Sequence, residues 1–287
     1  MLSRPKGILA IAPLTGAGKV RLSLVVPTYN ESQNIATVMR GLKTALGDQE
    51  GTYEIIVVDD DSPDKTWEIA TEIGRRDPQV RVLHRLGERG LATAVVRGWQ
   101  VARGEVLGVI DGDLQHPPEL ISRLWNEIKR GAEIAIASRR VIGGGFGHWS
   151  IWRRIFSLIA QLLGLILLPK VLGKVSDPMS GYFMVRRSLL EGIHLNPKGC
   201  KILIEVLGRC RATRIAEVGY IFRVREHGNS KATLGVFWEY LVHLVRLRFA
   251  SRCAWPVSAN SVTVNPTQAT AGTDAVDKAS TASADVR

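Results

Sequence analysis

Cysteine is scarce in this chain: Cys200, Cys210 and Cys253 are the only three among 287 residues, and no two form a CxxC pair. That argues against a disulfide framework or a thiolate zinc site and fits a reducing compartment. Long apolar runs are missing too. The stretch Ile155–Leu168 covers 14 residues; as a helix it reaches roughly 21 Å, short of the ~30 Å hydrocarbon core of a bilayer. No transmembrane span is therefore expected. The first residues, MLSRPKGILAIAPLTGAGK, carry an apolar stretch broken by Pro13. They make a poor signal peptide and read as a poorly ordered leader over residues 1–20. From Pro256 to Arg287 there is no aromatic residue, so the tail over 251–287 cannot bury enough surface to order itself. No internal repeat is present.

What the chain does have is a core and an excess of positive charge. Hydrophobic residues make up 45% of it, and Lys plus Arg outnumber Asp plus Glu by 38 to 27, a formal net charge of +11. Such an excess favours phosphates, nucleic acid or anionic lipid as partners.

Apolar runs at residues 22–26, 53–58, 80–84, 106–110 and 134–137 read as strands. They alternate with helical patterns at about 31–46, 65–76, 91–102 and 118–130. This alternation predicts an α/β fold, an open, mostly parallel sheet with helices on both faces. Ligands of such sheets bind beyond the carboxyl ends of the strands, which is where the polar clusters Pro27–Glu31, Asp59–Asp64 and Asp111–Gln115 fall. Residues 151–172 and 233–249 are different. In the first, Arg153, Arg154, Ser157 and Gln161 form a polar stripe at helical spacing; in the second, Glu239, His243 and Arg246 do. Both segments read as amphipathic helices lying in a membrane interface, or as core helices beneath the sheet, and the two readings can coexist.

The motif with most chemistry is DGDLQHPPE, Asp111 to Glu119. Two carboxylates one residue apart at a strand end can share a hard divalent cation, Mg²⁺ or Mn²⁺, with Gln115 supplying a neutral oxygen. Such a cation stabilises a nucleotide diphosphate as leaving group, and Gly112 lets the backbone approach a ligand. The cluster Asp59, Asp60, Asp61 and Asp64 packs like charges that need a cation or hydrogen-bond donors in answer. In PTYNE, Asn30 or Glu31 can hydrogen-bond a nucleoside or cap the next helix. GAGK at 16–19 lacks the Ser/Thr and first Gly of a phosphate-binding loop. GGGFG at 143–147 reads as a loop over the site or a linker, and His116 and His227 read as lone structural histidines.

In this order, PTYNE (27–31), VVDDDSPDKT (57–66), RGLATAVVRG (89–98), DGDLQHPPE (111–119), ASRR (137–140), DPMSGYFMVRR (177–187) and HGNSK (227–231) resemble family 2 of the glycosyltransferases. Within it they are most similar to the dolichol-phosphate (polyprenyl-phosphate) mannosyltransferases. The resemblance covers roughly residues 21–250 and implies an A-type glycosyltransferase nucleotide-sugar fold. It implies that Pro27, Tyr29, Glu31, Asp59, Asp60, Asp111 and Gly112 hold the nucleotide-sugar and that Asp111, Asp113 and Gln115 hold the metal. It further implies that Arg139, Arg140, Arg153, Arg154, Ser157, Arg225 and Lys231 gather the donor diphosphate and the acceptor phosphate, with Asp113 and Arg225 catalytic. The family's common DAD stands here as DGD, with both carboxylates kept.

The expected donor is GDP-mannose and the expected acceptor dolichyl or polyprenyl phosphate, on the cytoplasmic side of a membrane to which the chain binds peripherally. A small membrane subunit is among the partners the resemblance admits. UDP-glucose as donor and a glycan hydroxyl as acceptor are the alternatives within the family. Nucleic-acid binding and a non-catalytic membrane scaffold are the alternatives outside it. Acidic strand ends that repel a polyanion argue against nucleic acid.

Overall fold

The computed structural model describes residues 1–3, 5–14, 20–47, 52–147, 151–197, 199–224 and 234–249; within these, the side chains of 151–157, 170 and 234–237 lie outside the description. Among the described residues, seven strands form one sheet in the order β3-β2-β1-β4-β6-β5-β7. The strands are β1 (Leu22–Thr28), β2 (Tyr53–Asp59), β3 (Val80–His84), β4 (Val106–Val109), β5 (Ile134–Ser138), β6 (Phe183–Arg186) and β7 (Ile215–Gly219). The first four run parallel, as the strand–helix alternation predicts. β6 runs antiparallel to both β4 and β5, while β5 and β7 are parallel.

The helices are α1 (Ile35–Leu46), α2 (Thr66–Arg76), α3 (Leu91–Val101), α4 (Ile121–Lys129), α5 (Ile151–Leu167), α6 (Pro169–Leu172), α7 (Ile202–Arg209) and α8 (Leu234–Phe249). They cover both faces of the sheet. Leu42 of α1, Ala70 of α2 and Leu124 of α4 pack into one core layer. Trp99 of α3, Ala160 of α5, Leu172 of α6, Leu203 of α7 and Leu244 of α8 pack into the other. Gly98 of α3 is required for close packing, because a Cβ there would sit 2.7 Å from a Val25 methyl.

Several boundaries differ from the sequence reading, each for a local reason. β1 continues through Pro27 to Thr28. Its pairing with β4 ends at Val25, so a residue without an N–H is tolerated beyond that point. α1 starts at Ile35, and no side chain caps it; Asn30 instead adopts φ 57° and donates its backbone N–H to Ser62 Oγ. The 151–172 segment breaks into α5 and α6 at Leu168, which the following Pro169 drives out of helical geometry.

The segment read as a poorly ordered leader is, over its described residues, packed. Leu2 N donates to Val82 O and Leu195 N to Leu9 O, Ile11 is buried, and Arg187 donates to Ala12 O. The phosphate-loop-like GAGK and the 251–287 tail lie outside the described residues.

Candidate active site

The parallel strands deliver their carboxyl ends to one edge. Thr28 at the end of β1 stands opposite Asp59 at the end of β2, and Ile110, just past β4, donates its N–H to Val25 O. The four non-glycine residues with left-handed backbone among those described, Asn30, Asp61, Lys65 and Leu114, all lie in the loops that leave this edge. Such conformations cost of order 1 kcal/mol or more each and concentrate at functional sites.

The crowded carboxylates after β2 are answered by hydrogen-bond donors within the protein. Asp59, fully buried, accepts from Thr28 Oγ1 at 2.8 Å, Ser62 N at 2.9 Å and Ser62 Oγ at 2.7 Å. Asp60 takes Arg85 Nε on one oxygen at 2.7 Å and Gly90 N on the other at 2.8 Å. Burial lifts its carboxyl above the usual carboxylate range even so, with Arg85 opposing. Asp61 meets His84 Nε2, and Asp64 accepts from Ser32 N and Thr66 N. Glu31 accepts from Asn34 Nδ2, while its own N–H goes to Thr66 Oγ1. Tyr29 is half-buried with the Arg89 guanidinium 4.8 Å from its ring centroid. Thus Asp59 and Asp60 fasten the loops that frame the edge, and Asp60 in particular holds the 85–90 loop through Arg85.

After β4 the chain turns through Asp111, Gly112 and Asp113. Asp113 is only 7% exposed, and its Oδ1 accepts the Gln115 N–H at 3.1 Å. Asp111 has one buried oxygen, Oδ1, without a hydrogen-bond partner. Its other oxygen lies 3.4 Å from His116 Nε2. A Cβ on Gly181 would come within 2.7 Å of that same oxygen, so the loop before β6 can approach only as glycine. Gln115 donates its side-chain amide to Arg223 O, which leaves its oxygen as the remaining acceptor. Two carboxylates one residue apart, one with an unsatisfied buried oxygen, fit a hard divalent cation that takes further ligands from water and a substrate diphosphate. Among the described residues there is no cluster of three or more His, Cys, Asp or Glu side chains that would hold a metal by themselves.

On the far side of the edge, Arg139 follows β5. It is 8% exposed and forms a two-pronged pair with Asp177, Nε to Oδ2 and Nη2 to Oδ1 both at 2.7 Å. Burial raises the Asp177 carboxyl, but the Arg139 guanidinium outweighs it and holds the carboxyl below its ordinary range. Arg139 is therefore already neutralised, whereas Arg140 is half-exposed with its guanidinium 5.1 Å from the Phe146 ring centroid. The GGGFG loop is tied down at Gly145, which exchanges backbone hydrogen bonds with Tyr220 and Phe222. Arg153, Arg154 and Ser157 fall in the opening turns of α5, where side chains are outside the description, and Arg225, His227 and Lys231 lie outside the described residues.

Sequence patterns assign no role to Asp177, Gly181, Tyr182, Tyr220, Phe222 or Arg223, which brace or adjoin this edge. The first three sit in the DPMSGYFMVRR block, and the others follow a short strand with no motif to flag them. Away from this edge, α5 and α8 pack on each other through Tyr240 Oη donating to Ala160 O. Their opposite sides expose Leu158, Leu162 and Ile166 of α5 and Trp238, Val245 and Phe249 of α8. Gln161 of the polar stripe turns inward to Ser176 O. His243, expected on a polar side of α8, is buried against Glu205. One side of each helix is therefore core and the other is apolar surface. Among the described residues no helix is long and apolar enough to cross a membrane.

Residues 23–193 match the Glycosyl transferase family 2 domain. Similar curated proteins include the dolichol-phosphate mannosyltransferase of Pyrococcus furiosus, 44% identical over 228 residues that are 79% of this chain and 64% of that protein. The match thus spans less than two thirds of that relative's length. The dolichol-phosphate mannosyltransferase of Saccharomyces cerevisiae is 33% identical, with 79% of this chain and 87% of that one covered. The undecaprenyl-phosphate mannosyltransferase of Micrococcus luteus is 34% identical, with 81% and 96% covered. Among solved structures, glucosyl-3-phosphoglycerate synthase from Mycobacterium tuberculosis in complex with Mn²⁺, UDP-glucose and phosphoglyceric acid superposes with a TM-score of 0.59 at 25% identity, over 79% of this chain and 78% of that one. The motif resemblance to the dolichol- and polyprenyl-phosphate mannosyltransferases is upheld, and the sheet is that of an A-type glycosyltransferase. The chain belongs to glycosyl transferase family 2.

Proposed function

We propose that this protein transfers mannose from GDP-mannose to the phosphate of dolichol or another polyprenol at the cytoplasmic surface of a membrane. The observation that carries the reading is the Asp111–Asp113 pair at the carboxyl edge of the sheet, with a buried, unpartnered oxygen on Asp111. The names of the relatives supply the acceptor class, and the exposed apolar sides of α5 and α8 supply a way to meet a lipid.

The division of labour follows from charge. The turn Pro27–Glu31 and the loops fastened by Asp59 and Asp60 hold the nucleoside, with Gly112 admitting the ligand against the backbone. Asp111, Asp113 and the Gln115 amide oxygen would hold Mg²⁺ or Mn²⁺, which when bound offsets the charge that builds on the departing diphosphate. A phosphate monoester is already close to a dianion at neutral pH, so the acceptor needs no general base. It needs cationic positioning in line with the anomeric carbon, the role assigned to Arg140, Arg153, Arg154, Arg225 and Lys231, with the Ser157 hydroxyl as a neutral hydrogen-bond donor. Arg139, bound to Asp177, shapes that side of the site instead. Direct displacement by the acceptor oxygen inverts the anomeric centre.

The test is transfer of radiolabelled sugar from GDP-mannose or UDP-glucose to polyprenyl phosphate, or to a glycan hydroxyl acceptor, by the full chain. The reading expects label in the lipid phase from GDP-mannose. Label from UDP-glucose alone would change the donor, and label only in the glycan would remove the lipid acceptor.

A further inference from the structure

His116 lies just outside the carboxylate pair, a lone histidine by sequence. In the fold it is 3% exposed and set in an aromatic box. Its ring centroid lies 5.6 Å from Tyr182, 5.4 Å from Tyr220 and 5.2 Å from Phe222. Burying an imidazole among aromatic rings costs free energy unless its polar atoms are used, and a phenyl ring would fill the same space without that cost. One nitrogen does face a polar group: Nε2 stands 3.4 Å from Asp111 Oδ2. The other, Nδ1, is buried with no hydrogen-bond partner. Only Nε2 faces Asp111, so a proton donated toward that carboxylate would come from Nε2.

Asp111 Oδ2 is confined from a second direction by Gly181, where even a Cβ would be 2.7 Å away. One oxygen of the carboxylate is thus wedged between an imidazole and a glycine, while Oδ1 remains without a partner. Carboxylates that ligate metals are commonly oriented by an outer polar partner, and removing it costs about 10–100-fold in metal affinity.

We infer that His116 is the positioning residue of Asp111, its Nε2 edge facing one carboxylate oxygen at 3.4 Å and confining it so that the other is left for the divalent cation. The inference rests on the reading of Asp111 and Asp113 as the cation's ligands. It explains why a polar ring occupies an aromatic box, which packing alone does not.

The experiment is a titration of the full chain with Mn²⁺ in the presence of GDP, followed by electron paramagnetic resonance, beside a thermal melt. His116→Phe keeps the ring and removes the donor; His116→Gln keeps an N–H. The expected result is a Phe variant that melts close to the wild type and binds Mn²⁺ about 10–100-fold more weakly, with the Gln variant near the wild type. Wild-type affinity in the Phe variant, or equal losses in both variants, would overturn the inference. Absence of Mn²⁺ binding by the wild type would instead remove the metal site itself, and the inference with it.

Discussion

At the scale of single residues, the site depends on a few buried polar groups whose partners are far away in sequence. Asp177 neutralises Arg139 across 38 positions and receives the Arg139 backbone N–H as well. Removing one partner of a buried pair leaves an uncompensated charge, which costs roughly 3–5 kcal/mol. Asp177→Asn is therefore expected to lower unfolding free energy by about that amount, read by urea denaturation. The same pair sets a pH dependence. The folded Asp177 carboxyl lies below its unfolded value, so its contribution is complete above roughly pH 4 and fades as pH falls further. Wild type should lose stability on acidification through that range, and the Asn variant should lose less. Gly181→Ala tests the other contact: its methyl would meet Asp111 Oδ2 at 2.7 Å. Displacing a reacting-site group by about 1 Å can cost on the order of 100-fold in rate. A drop of that size in transfer, with an unchanged melting temperature, is the expected outcome.

At the scale of elements, α5 and α8 show how one helix serves two environments. Tyr240 and Leu244 of α8 and Ala160 of α5 are buried, while Leu162, Trp238 and Phe249 face outward. Introducing a charge on the outer side touches no core contact, so stability should move by no more than about 0.5 kcal/mol. Each large apolar side chain buried in a lipid interface contributes about 1.5–3 kcal/mol. Leu162→Glu and Trp238→Glu should each weaken sedimentation with liposomes roughly tenfold or more while leaving thermal melts alone. That these segments are two-sided was legible in the helical spacing of their polar residues, but which side faces outward was not, because Gln161 and His243 turn inward. The break at Leu168 is missed by reading 151–172 as one segment, although Pro169 explains it. Strand β6 was not legible: four residues, FMVR, follow no helix–strand alternation, and their antiparallel pairing with β4 and β5 is fixed only by the sheet. The packing of residues 1–3 and 5–14 was not legible either. It rests on acceptors offered to Arg187 and Gln100, which no local pattern announces.

At the scale of the whole molecule, the polar clusters on which the proposed chemistry depends sit beyond the carboxyl ends of the parallel strands, where such sheets bind ligands. That much could be read in advance because DGD, DDDSPD and PTYNE are contiguous with the strands that carry them. What could not be read is which charges remain available. Arg139 looked like a phosphate ligand and is held by Asp177. Asp60 looked like a nucleotide contact and clasps Arg85. His116 looked inert and faces Asp111. Each of these depends on a partner brought in by folding rather than by sequence neighbourhood. The central claim remains transfer to a lipid phosphate that depends on the Asp111–Asp113 pair. It is tested most directly by incubating wild type and Asp113→Asn with radiolabelled GDP-mannose, polyprenyl phosphate and Mg²⁺ or Mn²⁺, with and without EDTA, and counting label in the lipid phase. The account predicts label from the wild type that EDTA abolishes, and at least a 100-fold loss in the variant, the scale of removing one preorganised charge-stabilising group. Undiminished label with EDTA present, or in Asp113→Asn, would contradict it.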